Sequence, residues 1–164
     1  MTPFWITGLP RSRTAWMSAF LTNGDVFCHH EFLKDCTSRE MFYEAMSVQD
    51  KRIGNSDTGL VVTDFQTRFP DSKTVIIDRD PVDVYVSLSE IYEGINLDNF
   101  WSMVQDISEL KGMRVPFDRL DDEMPNICEY LDIPYDKARH ELFKILNIQT
   151  TDLVLRHETV KVWR

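Results

Sequence analysis

Residues 4–16, FWITGLPRSRTAW, hold side chains suited to gripping an oxyanion. A short apolar strand over residues 3–7 runs into Gly8 and Pro10, and two arginines and two hydroxyls follow before an amphipathic helix begins. A strand, a tight turn and a helix N-terminus make an anion site, because unpaired backbone N–H groups and the helix dipole converge there. Gly8 lets the backbone approach a ligand closely, and Pro10 stiffens the turn. Ser12, Arg13 and Thr14 offer N–H groups and hydroxyls, while Arg11 offers a permanently charged fork for phosphate or sulfate oxygens. The common nucleotide-binding loop ends in Gly-Lys-Ser/Thr, and no lysine stands here. The plain alternative is a strand–turn–helix junction with surface arginines.

A second stretch, TVIIDRDPVDVYVSLS, sets Arg79 just past an apolar strand and Ser87 eight residues further on, with Pro81 at the start of a helix. An arginine at a strand tip and a serine about two turns into the next helix can pinch one phosphate. The alternative pairs Arg79 with Asp78 or Asp80 and leaves Ser87 a solvated helix position. Cys28, His29, His30 and Cys36 invite a zinc reading, but their spacing fits no common finger, and no metal is expected. Asp64, at the end of LVVTD, either lines a pocket at a strand tip or caps a turn. The acidic run DRLDDEMP reads as a solvated turn with helix-start carboxylates.

The elements that must position these residues follow from apolar periodicity. Helical spacing marks residues 14–21, a helix capped by Thr37 or Ser38 that presents Met41, Phe42, Ala45 and Met46, a helix from Pro81, and residues 97–110. The stripe from Leu97 to Leu110 is core or a dimer face. Further helices are expected around 127–131 and 138–146. Short apolar runs at LVVTDF, KTVIID and MRVPF predict buried strands, DLVLR an extended piece, and KRIGNSDTG a polar loop. Strands alternating with helices predict a three-layer α/β fold with a central parallel sheet and ligands at the carboxyl ends of its strands. Both anion-binding stretches fall on that rim.

A chain of 164 residues suits one domain, residues 1–164. Its net charge of −9 argues against nucleic acid or an acidic membrane as partner, so any anion site must come from local arginines and backbone N–H groups. Three widely spaced cysteines make no disulfide framework. Apolar runs of only about five residues predict no membrane span and no signal peptide. The expected location is cytoplasmic.

Taken together, the two stretches resemble the sulfotransferase family. Its first signature is a strand followed by Gly-x-Pro-Arg/Lys-Ser-Gly-Thr, often with Trp soon after; Gly8, Pro10, Arg11, Ser12, Thr14 and Trp16 match it. Its second is a strand ending in Arg-Asp-Pro or Arg-Asn-Pro with Ser eight residues past the arginine, matched by Arg79, Asp80, Pro81 and Ser87. RFPDSKTVIIDRDP also resembles the family's Phe-Pro-x-Ala-Lys approach to that strand, and VPFDRLDDEMPNICEYLDIP its late strand, acidic turn and helix.

The resemblance implies a P-loop NTPase-like fold that binds 3′-phosphoadenosine 5′-phosphosulfate and transfers its sulfuryl group to a hydroxyl or amine. By position, Gly8, Pro10, Arg11, Ser12, Arg13 and Thr14 would hold the 5′-phosphosulfate, and Arg79 with Ser87 the 3′-phosphate. Trp16 would stack on adenine, or else pack in the core. Arg11 would meet charge on the leaving oxygen without a metal. Glu31 is the first candidate for the base, by likeness to family branches with a glutamate after the first helix. His30 or His29 is second, since a neutral imidazole suits that work.

Three departures stand out. Arg13 replaces the loop's glycine, which strains the backbone if the position needs a positive φ and otherwise adds an anion ligand. Ala15 replaces a second hydroxyl. No late basic, glycine-bearing segment follows Leu146, where only Arg156, Lys161 and Arg164 could substitute. The rivals are a P-loop kinase and a non-catalytic module for adenosine 3′,5′-bisphosphate. A small molecule, a glycan or a peptide could each be the acceptor, and the oligomeric state is left open.

Overall fold

The computed structural model describes residues 2–47, 51–150 and 158–162. In chain order the elements are β1 (Phe4–Gly8), α1 (Thr14–Leu21), β2 (Val26–His30), α2 (Arg39–Ser47), β3 (Arg52–Ser56), α3 (Phe65–Arg68), β4 (Lys73–Asp78), α4 (Pro81–Ser89), α5 (Leu97–Glu109), β5 (Met113–Pro116), α6 (Leu120–Tyr130), α7 (Lys137–Lys144), β6 (Leu146–Thr150) and β7 (Glu158–Val162). The first five strands form one sheet in the order β2-β3-β1-β4-β5, and every pairing in it is parallel. β6 and β7 form a separate antiparallel pair.

Helices cover both faces of the sheet, which makes the fold three-layered. One face carries Phe4, Ile6, Val75, Ile77 and Val115 against Trp16, Phe20, Met124, Ile127 and Phe143 of α1, α6 and α7. On the other face, Trp5 and Ile53 pack under Phe42, Met46 and Phe65, and Ile76 under Val84, Leu88, Phe100 and Ile107 of α4 and α5. Central β1 is buried throughout, as a parallel strand covered on both faces must be.

The connectivity picks out one crevice. β1 continues through α1 to β2 on one side of the sheet, and β4 continues through α4 and α5 to β5 on the other. The chain therefore leaves the carboxyl ends of adjacent β1 and β4 in opposite directions, and a gap opens between them where open α/β sheets take their ligands.

The structure reverses one expected strand and one expected loop. LVVTDF is not a strand: Thr58–Val62 form a 3₁₀ turn and α3 follows. Asp64 accordingly stands at no strand tip; it precedes α3 and accepts a hydrogen bond from the Tyr43 hydroxyl. The strand lies instead in the polar RIGNS, as β3. An apolar run is unnecessary there because a neighbour fills the space: a Cβ on Gly54 would sit 2.1 Å from the Phe4 ring. Buried Asn55 and Ser56 satisfy loop groups, Ser56 Oγ donating to the Thr14 carbonyl at 2.8 Å and Asn55 Oδ1 accepting from the Phe32 N–H at 3.3 Å. Met41 is exposed, and Tyr43 joins Phe42 and Met46 on the buried face of α2. DLVLR lies outside the described residues.

Gly54→Ala forces the Phe4 ring out of the core and is expected to destabilise the protein by about 2–3 kcal/mol. In urea denaturation, Phe4→Leu should recover part of that loss in the double variant, because the two residues occupy one space.

Candidate phosphate-binding site

The crevice begins at Gly8. A Cβ there would lie 2.7 Å from the Ile77 carbonyl oxygen and 3.4 Å from Ser12 Cβ, so only glycine lets the end of β1 abut β4 with the loop folded back over it. Arg11 (φ 67°) and Arg13 (φ 60°) are both left-handed. Alternation of this kind turns successive backbone N–H groups to one side. Arg13 occupies the cap of α1 without capping it through its side chain, leaving the first N–H groups of the helix to an external acceptor. Ser12 is wholly buried, yet its Oγ hydrogen-bonds to no described residue. An unpaired buried hydroxyl costs about 1–3 kcal/mol, and a bound oxyanion removes that cost.

The second stretch closes on the first. Arg11 Nε donates to Ser87 Oγ at 3.4 Å, and the Arg79 guanidinium donates to the Arg11 carbonyl while lying 4.4 Å from the centre of the Phe117 ring. Arg79 is not neutralised by its neighbours. Asp78 pairs with Arg114 at 2.7 Å, and Asp80 caps α4 by accepting from the Val82 N–H at 2.7 Å. Neither Arg11 nor Arg79 makes an ion pair with a described residue, so two guanidinium charges stand at the crevice beside two helix N-termini. Pro81 at the first position of α4 supplies the helical φ that holds this end in place.

Arg13 and Trp16 go elsewhere. Left-handed Arg13 carries the strain that the loop's glycine would avoid. Its guanidinium leaves the crevice, pairing with Asp121 at 3.1 Å and covering the Trp16 ring at 4.1 Å. Trp16 is a core residue: it stacks on Phe20 at 5.4 Å, and its indole N–H donates to the Phe143 carbonyl at 3.0 Å. Asp121, from the run expected to be only solvated, thus anchors the loop. Behind it lies buried His140, with Nδ1 2.8 Å from the Tyr135 hydroxyl and Nε2 3.6 Å from Asp121 Oδ1. Burial among Trp16, Phe20 and Phe143 lowers the His140 pKa. No local pattern marks Asp121 or His140 in the sequence, since α6 and α7 bring them to α1 from more than a hundred residues away.

Of the base candidates, His30 ends β2 with Nε2 3.5 Å from Thr14 Oγ1, beside the loop. Glu31 is left-handed (φ 51°), and its carboxylate pairs with Lys34. His29 stacks on Phe32 at 4.3 Å, and burial lowers its pKa. It lines a cleft of about 480 Å³ along the edge strand β2, together with Phe27, Ile53, Lys51 and the turn residues Asn23 and Gly24, away from the loop that follows β1. Asp57 has no pattern in the sequence that marks it. Buried beyond β3, it accepts from the Gly59 N–H at 2.7 Å and the Leu33 N–H at 3.3 Å, tying the segment after β2 to the rim. Among the described residues no group of three or more His, Cys, Asp or Glu is placed to hold a metal ion. No described helix is long and apolar enough to cross a membrane.

No protein-family model matches this chain, nor does any curated protein sequence. Among solved structures it is similar to mouse sulfotransferase SULT7A1 complexed with PAP, at a TM-score of 0.63 and 13% identity, over 86% of this chain. The fold is sulfotransferase-like. The match spans 62% of the mouse protein's chain. A shikimate kinase from Bacteroides thetaiotaomicron superposes at a TM-score of 0.41 with 15% identity, over 87% of this chain and 93% of its own.

Two outcomes follow from the geometry. Ser12→Ala should stabilise the ligand-free protein by about 1 kcal/mol, since the orphaned hydroxyl goes, while reducing the stabilisation that sulfate or phosphate ions confer; thermal denaturation with and without the ions reads both. His140 has its pKa lowered by folding, so the unfolded chain takes up the proton first as pH falls. Stability should therefore drop as pH descends below about 6.5, by at most about 1.4 kcal/mol per pH unit. A His140→Gln variant should show a flatter urea-midpoint profile over that range.

Proposed function

We propose that this chain is a sulfotransferase, a single cytoplasmic domain using 3′-phosphoadenosine 5′-phosphosulfate. One observation carries the reading: the two motifs of the family resemblance meet physically, with Arg11 on Ser87 and Arg79 on the Arg11 carbonyl, beside a buried and unpartnered Ser12 hydroxyl. The PAP in the mouse sulfotransferase supports an adenosine 3′,5′-bisphosphate moiety as the ligand. Gly8, Pro10, Ser12 and Thr14 with the first N–H groups of α1 would hold the 5′-phosphosulfate. Arg79 and Ser87 would hold the 3′-phosphate. Arg11, reaching Ser87 from the loop, joins the two.

Bound there, the nucleotide supplies an activated sulfuryl group. Arg11 and the α1 N-terminus would stabilise the negative charge that builds on the departing oxygen, a task that positive donors fixed in advance perform well. His30 is the better-placed base. It stands next to Thr14 at the crevice, whereas the Glu31 carboxylate is engaged by Lys34. The acceptor hydroxyl or amine, on a small molecule, a glycan or a peptide, would pass its proton to the imidazole.

A thermal-shift comparison tests the ligand. Adenosine 3′,5′-bisphosphate at a hundred times its dissociation constant adds about 2.7 kcal/mol, and a rise of about 5–10 °C is expected, with little from Mg-ATP. A larger rise with Mg-ATP favours a P-loop kinase. Arg79→Ala should weaken bisphosphate binding by about 10- to 150-fold. His30→Gln should leave that binding intact and slow transfer by about 10²–10⁴-fold, with Glu31→Gln changing it far less. Tight bisphosphate binding without transfer to any acceptor points to a binding module.

A further inference from the structure

The exposed apolar side chains are concentrated in one part of the molecule. Val82, Val86, Ile91, Tyr92, Leu97 and Trp101 are each half or more exposed, and they account for six of the eleven large apolar residues that stand out among the described residues. All six fall on α4, α5 or the connection between them. Val82 and Val86 are one turn apart on α4, on the side away from buried Val84 and Leu88. Leu97 and Trp101 repeat that spacing on α5. The helices are joined through their rings: Tyr85 packs edge-on to Phe100 at 5.7 Å, and Phe100 edge-on to Trp101 at 5.6 Å. Exposed aliphatic and aromatic groups gathered in this way mark an interaction surface.

Charge on the same elements is one-sided. From Asp80 to Leu110 the chain holds seven carboxylates (Asp80, Asp83, Glu90, Glu93, Asp98, Asp106 and Glu109) and no Lys, Arg or His. All seven are exposed, and none forms an ion pair with a described residue. Arg11 reaches Ser87 on α4 and Arg114 reaches the carbonyls of Ile107, Ser108 and Leu110 at the end of α5, but neither pairs with these carboxylates. Apolar knobs set in unneutralised negative charge attract a ligand of opposite sign with an apolar face. An anionic membrane is repelled. A second copy docked face to face would oppose carboxylate to carboxylate.

We propose that the α4–α5 face docks a basic amphipathic helix of a partner protein, its apolar stripe on Val86 and Trp101 and its lysines or arginines among Glu90, Glu93 and Asp98. Recognition of this kind reads anchors at helical spacing and gains speed and selectivity from charge.

The probe is a dye-labelled Leu/Lys amphipathic peptide of about 18 residues, five helical turns, compared with its Leu/Glu counterpart by fluorescence anisotropy. The basic peptide should bind, more weakly as salt rises, and the acidic one should not. Val86→Ser/Trp101→Ser and Glu93→Lys/Asp98→Lys, each checked for an unchanged far-ultraviolet spectrum, should both weaken binding by about tenfold or more. Absent binding, equal affinity for the two peptides, or affinity retained in either double variant overturns the proposal. So does a dimer in sedimentation that Trp101→Ser dissolves, which would assign the face to a second copy.

Discussion

The parallel contact of β1 with β4 is the constraint on which the rest of this structure depends. Gly8 sits so close to the Ile77 carbonyl that no side chain fits between them. Because of that closeness, the loop after β1 and the tip of β4 share one crevice, and α1 and α4 leave it in opposite directions with their N-termini facing it. A wider separation would leave two unrelated strand–turn–helix junctions, each with a surface arginine. The register from Phe4 opposite Lys73 to Gly8 opposite Ile77 therefore decides whether Arg11, Ser12, Arg79 and Ser87 are neighbours.

The crevice is positive in a protein that carries excess negative charge, and that contrast depends on where each charge is spent. Asp78 is drawn off by Arg114 and Asp80 by the cap of α4, so the two carboxylates flanking Arg79 in sequence do not neutralise it. Arg13 moves the other way, out of the crevice to Asp121. Its left-handed backbone is held by an ion pair and by the Trp16 ring, and the ring in turn rests on Phe20 and the Phe143 carbonyl. The loop after β1 is thus braced from α6 and α7. The acidic α4–α5 face shows the opposite arrangement, with carboxylates that pair with no described cation standing around exposed apolar groups.

Much of this was legible along the chain. Helical periodicity located α1, α4 and α5, the alternation of elements implied a parallel sheet, and the loop and DRDP marked the rim. β3 was not legible, because its packing is provided by the Phe4 ring from the adjacent strand and its own residues are small or polar. LVVTDF misled for the converse reason: Leu60 is buried by its neighbours within a 3₁₀ turn, so an apolar run arose without a strand. Trp16 has the spacing both of a core residue and of a ligand platform, and only its surroundings place it in the core.

What the sequence by itself determined was local: which segments are helical, where glycine and proline permit a turn, and which residue types suit an oxyanion. Those properties depend on backbone sterics and on side chains a few positions apart. What only the tertiary structure decided was the pairing of polar and charged groups. Arg11 meets Ser87 across 76 residues, Arg13 meets Asp121 across 108, and Trp16 meets the Phe143 carbonyl across 127. Such partners are chosen by sheet order and helix packing, and no short-range pattern encodes them.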